Sequence, residues 1–351
     1  MELNSNSRVA FVCKGGPENG PFSALACRIL SERLNKEGIK VSAIYASSGS
    51  IPTALLGCTG DFSKLCDVWA NLTPEDIVGK MNKAKTTMRL LWGESILLNN
   101  PLRNLIRKNW DLEKIFSDEA LPIKFPAVDL CGSEYVIFSN KNPKHKKWFS
   151  EGVLGSMGLV PFLPPQRIFN PEEAGLTYKG QKKENGLLLI DGGFMGNILL
   201  EEAIRDQFDV VFLIDIHGLK STETDFNVNK SYHWAKLLRS GFHILSNTND
   251  VRQFQLADRI NEEIRIKKEL IKVASQMPPE YAKYLDAVIC RMDEDRLRLW
   301  DKNETQIYTV SNEEQSTLFN FASFKKHKET LQFLSAGYEA ANRTLKEIGL
   351  D

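Results

Sequence analysis

The sequence predicts a soluble α/β protein built around a parallel sheet. Three observations carry this: a balanced, moderately apolar composition, a βαβ pattern in the first fifty residues, and a second strand-to-glycine turn near residue 190. The chain has 351 residues, with 45 Lys+Arg against 45 Asp+Glu, and 42% of its residues are hydrophobic. That length is enough for one large domain or two ordinary ones. Zero net charge argues against a nucleic-acid partner, whose binding rests on phosphate neutralisation. No apolar run reaches the ~20 residues of a spanning helix. The polar start, Met1 to Ser7, does not read as a secretory signal, so a cytoplasmic protein is expected. The six cysteines show no CxxC spacing and read as reduced core residues. The five histidines are scattered and form no HExxH or Cys/His cluster, so no metal site is expected.

Val9-Ala-Phe-Val-Cys13 is a short continuous apolar run, as befits a strand covered on both faces. It leads into the turn-rich loop from Lys14 to Gly20. Phe22, Leu25, Ala26, Ile29, Leu30 and Leu34 then recur at helical spacing up to the stop signal Gly38. A second strand follows at Val41-Ser-Ala-Ile-Tyr45. The two strand starts lie about 30 residues apart, the length of a βαβ unit, which makes them parallel neighbours.

A glycine loop that ends a strand and opens a helix favours an anion, through free backbone N–H groups and the helix dipole. GxGxxG and the Walker lysine are missing, which argues against a nucleotide phosphate. The loop then reads either as a site for the oxyanion of acyl transfer or as a plain turn. Ala46-Ser47-Ser48-Gly49-Ser50 follows the second strand and precedes Pro52. A serine on a strand-to-helix turn is the nucleophile elbow, usually G-x-S-x-G, and here Ala46 and Ser50 replace the flanking glycines.

Further on, Leu187-Leu-Leu-Ile-Asp191-Gly-Gly193 ends another apolar strand with an aspartate and two glycines. Taken in order, the glycine loop, the serine elbow and Asp-Gly-Gly resemble the patatin-like phospholipases. The segment from Gly155 to the paired prolines Pro164-Pro165 resembles the family's small-Ser-x-small stretch. Leu213 to Ile216 resembles the strand after Asp-Gly-Gly, and Ala336-Gly-Tyr-Glu-Ala-Ala341 a late Gly-Tyr-x-x-Ala helix.

The resemblance implies a three-layer sandwich with a central, largely parallel sheet. It implies an acyl-hydrolase domain over residues 8–220; the helical spacing beyond reads as a mostly helical extension over 221–351 packed on the same core. It also implies a serine–aspartate dyad, with Ser48 as nucleophile and Asp191 as base, acting on a lipid or other ester and needing no cofactor. Burial has to raise the aspartate above its ordinary pKa for that task. Gly15, Gly16 and Gly49 fall in the implied oxyanion region. The family's third loop glycine is Pro17 here, which has no N–H to give, and its arginine is Asn19. These departures leave two readings: an acyl hydrolase, slow or specialised, or a catalytically impaired lipid-binding or interaction protein. Lys14 reads as a substitute electrostatic donor or as a solvated strand-end lysine. A rival Ser–Asp–His triad would draw its base from His217, His233 or His243.

Residues 60–124 read as mostly helical, with a helix from Pro101 to Trp110, and 125–139 as a hairpin turning at Cys131-Gly-Ser133. Lys144-His-Lys-Lys-Trp-Phe149 mixes cations and aromatics. It is either a peripheral contact with an anionic membrane or a solvated loop leading into a helix. Residues 250–274 place Val251, Phe254, Ala257, Ile260 and Ile264 on one helical stripe. Leu331, Leu334, Tyr338, Ala341, Leu345 and Ile348 form another near the end.

Overall fold

A computed structural model describes residues 3–79, 83–173, 175–176, 186–196, 198–217, 234–279, 281, 283–284, 304–312 and 327–350. Strand β1 (Val9–Cys13) is buried at every position. Its residues alternate between two cores, because successive side chains leave a strand on opposite faces. Val9, Phe11 and Cys13 join one apolar cluster, while Ala10 and Val12 join the other. The chain is therefore layered as helices, sheet, helices.

The helix that follows, α1 (Asn19–Lys36), packs its Phe22, Leu30 and Leu34 into the first core. It returns the chain to β2 (Val41–Ala46), parallel to β1 with Cys13 opposite Ala46. A single 3-10 turn at Ser48–Ser50 leads into α2 (Ile51–Gly57). Then come α3 (Phe62–Asn71), α4 (Pro74–Val78), α5 (Lys83–Trp92), α6 (Asn100–Asn109) and α7 (Leu112–Ile115), so the expected helical stretch is present. The hairpin is β3 (Ile123–Asp129) and β4 (Glu134–Ser139). Cys131 lies in its turn and is exposed, and Cys66 is half-buried, which corrects their reading as core residues. Cys13, Cys27 and Cys58 are buried free thiols.

Beyond the hairpin lie α8 (Phe149–Ser156), β5 (Gln166–Ile168), β6 (Leu187–Asp191), α9 (Leu200–Arg205) and β7 (Val210–Ile214). The long α10 (Trp234–Gln276) begins well before the expected stripe. Ala257, Ile260 and Ile264 on it are buried in the second core, whereas Val251 is exposed. Strand β8 (Gln306–Val310), which the sequence reading omits, pairs parallel to β7 at the sheet edge. The last helix, α11 (His327–Glu347), lies along α1. Leu334, Ala341 and Leu345 of the expected stripe are buried together with Ala336 and Ala340, whereas Leu331 and Tyr338 point to solvent, a correction at those two positions. A Cβ on Gly337 would come within 2.3 Å of the Phe22 carbonyl oxygen. Close approach of the two helix backbones at Gly337 thus rotates the buried face away from Leu331 and Tyr338.

The eight-stranded sheet is mixed and mostly parallel. Strands β1, β2, β3, β7 and β8 run parallel, and β4, β5 and β6 form antiparallel pairs. One detail positions the site. Lys124 pairs with both Tyr45 and Ser139, and Ala127 with both Asp191 and Val136. β2 and β6 therefore share one edge of β3, and β4 takes the other. Running in opposite directions along that edge, β2 and β6 meet head on with their C-terminal ends facing. Among the described residues, no helix is long and apolar enough to cross a membrane.

Candidate active site

The two facing strand ends carry Ser48 and Asp191. Ser48 follows β2 with φ at +45°, a conformation that is uncommon for any residue with a side chain. The sharp turn leaves Ser48 half-buried while Ser47, Gly49 and Ser50 are buried. Asp191 closes β6. Ser48 Oγ donates to Asp191 Oδ2 at 2.6 Å, across 143 positions of sequence. The other carboxylate oxygen accepts from Gly193 N–H at 2.8 Å. Both oxygens are therefore engaged, and no histidine stands between serine and aspartate.

Asp191 is only 3% exposed. Burial pushes its pKa from the ordinary 3.8 up to about 6, against the lowering effect of the hydrogen bonds from Ser48 and Gly193. The neighbouring chain is built to hold it. A Cβ on Gly192 would lie 2.7 Å from the Pro126 ring, so only glycine fits there. Asp191 N–H donates to Gly158 O at 3.2 Å. The buried Ser156 Oγ donates to Pro126 O, so the segment from Gly155 buttresses this corner. Tyr135, on β4, donates its hydroxyl to Gly196 O at 2.8 Å and fixes the loop after the aspartate.

The glycine loop lies directly against the elbow. A Cβ on Gly49 would meet Gly16 O at 2.3 Å, and one on Gly20 would meet Gly49 O at 2.7 Å. Gly49 is thus clasped between the loop and the start of α1. Gly16 has φ at +123°, which glycine alone adopts freely. Among the described residues, the N–H groups of Gly15 and Gly16 donate to nothing.

Two of the departures from the resembled pattern, Ser50 and Asn19, have structural explanations. Ser50 adopts φ of −91°, so glycine is not needed there, and its hydroxyl donates to Lys14 O at 2.6 Å. Asn19 is 1% exposed and bonded at both ends of its amide. Nδ2 donates to Gly15 O at 2.9 Å, and Oδ1 accepts from Ile216 N–H at 2.8 Å. Lys14 is neither solvated nor a free donor, which corrects both readings. It is 6% exposed, and its Nζ lies 3.0 Å from Asp215 and 3.3 Å from Asp250. Burial lowers its pKa, but the two carboxylates outweigh that and hold it above the ordinary lysine value. His217 Nε2 pairs with Glu18 at 3.3 Å instead of with the aspartate. His233 and the side chain of His243 lie outside the described residues.

Sequence reasoning missed Tyr135, Asp215 and Asp250, and it saw Asn19 and Ser50 only as losses. No local signal distinguishes Asp215 or Asp250 from other acidic residues. Among the described residues, no group of three or more His, Cys, Asp or Glu side chains has the arrangement to hold a metal.

The profile of the patatin-like phospholipases matches residues 11–204, more than half the chain. The chain belongs to the patatin-like phospholipase family. Among solved structures it is similar to VipD from Legionella pneumophila, at 9% identity over 99% of this chain and 68% of that one, with a TM-score of 0.38. It is also similar to human GIVD cytosolic phospholipase A2, at 12% identity over 62% of this chain, with a TM-score of 0.37. The match covers 47% of that human protein, less than half its length. No curated protein matches the chain.

The segment at Lys144–Trp148 is a 3-10 turn running into α8. Lys146 pairs with Glu113, and Lys147 with Glu173. His145 is buried, and its Nδ1 accepts from Ser139 N–H at 2.9 Å. Ser139 pairs with Lys124 near the start of β3, in the same row as Tyr45 of β2.

Proposed function

We propose that this chain hydrolyses lipid acyl esters through Ser48 and Asp191. The single observation that carries the reading is the 2.6 Å hydrogen bond from a strained elbow serine to a buried carboxylate. A base with pKa about 6 is ionised at neutral pH and still basic enough to take a proton in a transition state. Ser48 Oγ attacks the ester carbonyl carbon as its proton passes to Asp191. The carbonyl π electrons move onto oxygen, and backbone N–H groups in the Gly15, Gly16 and Gly49 region hold the resulting oxyanion. Collapse expels the alcohol, which leaves with the proton from Asp191. Water, deprotonated by the same carboxylate, then releases the fatty acid and restores Ser48. The lipid class of substrate is inferred from family membership, and no cofactor enters these steps.

Pro17, which lacks one of the family's N–H donors, favours a second reading, a lipid-binding protein with little turnover. A fluorogenic acyl ester assay on wild type, Ser48→Ala and Asp191→Asn separates the two. The hydrolase reading expects loss of activity in both variants by ~10³-fold or more. Equal rates in all three proteins reject it. An inert wild type that binds phospholipid vesicles favours the second reading.

A further inference from the structure

The glycine loop presents a problem in donors. With proline at position 17, the N–H that a third loop glycine would offer is missing. Two buried side chains that replace family residues hold consecutive carbonyls of this loop. Asn19, the first residue of α1, holds the Gly15 carbonyl and is itself held by the Ile216 N–H beyond β7. Ser50, at the start of α2, holds the Lys14 carbonyl. Neither is exposed: Asn19 is 1% and Ser50 0% accessible.

Peptide geometry turns these contacts into a directional statement. A trans peptide is planar, and its C=O and N–H point in opposite directions. Fixing Gly15 O on the Asn19 amide therefore fixes Gly16 N–H away from α1. That N–H donates to nothing among the described residues. The Gly16 residue carrying it lies against Gly49, the neighbour of Ser48. Glycine at φ +123° has no rotational preference of its own to keep the peptide in place, so external anchors decide its orientation. Ser50 supplies the second anchor one peptide earlier. It also ties the elbow to the loop, so that Ser48, Gly49 and Gly16 keep one relative position.

We infer that Asn19 and Ser50 are positioning residues that preset the glycine loop, so that the N–H groups of Gly16 and Gly49 form the oxyanion-binding pair without a donor at Pro17. The inference rests on the hydrolase reading above. Preorganised donors act on the transition state and leave ground-state binding almost untouched. The two anchors thus affect kcat and spare KM.

The test measures ester turnover in Asn19→Ala, Asn19→Asp, Ser50→Ala and Pro17→Gly beside wild type. It also compares the affinity of a long-chain trifluoromethyl ketone, which forms an oxyanion on Ser48, with that of its methyl ketone counterpart, which remains a ketone. Asn19→Asp keeps the acceptor for Ile216 N–H and removes the donor to Gly15 O, so it separates aiming the peptide from filling the space. Asn19→Asp and Ser50→Ala are expected to lose ~10- to 100-fold in kcat, with KM within a few-fold of wild type. The preference for the trifluoromethyl ketone should fall in the same proportion. Pro17→Gly is expected to leave turnover unchanged.

Unchanged kcat and unchanged ketone preference in folded Asn19→Asp and Ser50→Ala overturn the inference. So does a gain of about tenfold or more in Pro17→Gly, which would show the loop short of a donor. If the Asn19 variants do not fold, Ser50→Ala with a wild-type melting midpoint decides alone. A wild type inert to ester and unlabelled by a fluorophosphonate overturns the hydrolase reading, and this inference with it. An active wild type with unaffected variants overturns this inference only.

Discussion

Replacing Asp191 by asparagine should abolish activity and at the same time stabilise the protein at neutral and alkaline pH. Asp191 is 3% exposed, and its pKa is lifted from 3.8 to about 6, chiefly by burial. At 1.36 kcal/mol per pH unit, that displacement corresponds to about 3 kcal/mol. The sign follows from linkage. The folded value lies above the unfolded one, so the group's stabilising contribution is complete below pH 3.8 and is lost as pH rises through about 6. Asparagine has no proton to lose. It keeps an oxygen for Gly193 N–H and offers its amide N–H to Ser48 Oγ. Asp191→Asn should therefore match wild type near pH 3.5, exceed it by roughly half the full amount at pH 5, and exceed it by about 3 kcal/mol at pH 8. For a 351-residue chain this is about 4 °C in melting midpoint. Urea unfolding and thermal melts at pH 5 and pH 8 measure it. A variant no more stable than wild type at pH 8, or a difference indifferent to pH, would refute a strained buried carboxylate.

The same carboxylate must be ionised to act as a base, so kcat/KM should rise with pH through about 6 and level off above it. A profile that is flat between pH 5 and pH 8 would remove Asp191 from that role. Gly49→Ala places a methyl 2.3 Å from Gly16 O, and the backbone on both sides has to yield. Melting curves should show destabilisation of about 1–3 kcal/mol or more, with turnover lost as the loop shifts. Lys14→Met takes the cation from between Asp215 and Asp250, which are 0% and 2% exposed. A cost of about 3–5 kcal/mol in urea unfolding is expected, since removing one partner strands buried charge. A neutral result would mean that other groups balance those carboxylates.

The sequence by itself determined the local pieces of this protein. The run Val9–Cys13, the helical spacing behind it, the elbow at Ser48 and the corner at Asp191 are each written in consecutive residues, because strand and helix periodicity and turn chemistry are short-range. The order of those pieces was also enough to suggest the family. What tertiary structure alone decided is which pieces face one another. β2 and β6 meet head on only because both pair with one edge of β3, and nothing within either strand encodes that. Strand β8 was illegible because its partly buried residues take their place from pairing with β7. Gly337 and its alanines turned Leu331 and Tyr338 of α11 out to solvent, while Leu334 and Leu345 stayed buried, since the closest backbone approach sets the face. Lys14 reads as solvated until Asp215 and Asp250, more than two hundred positions away, arrive beside it. Asn19 and Ser50 read as losses until the carbonyls they hold come into view. Polar partners chosen across the fold leave no periodic trace, whereas apolar faces and turns do, and the division between legible and illegible follows that line.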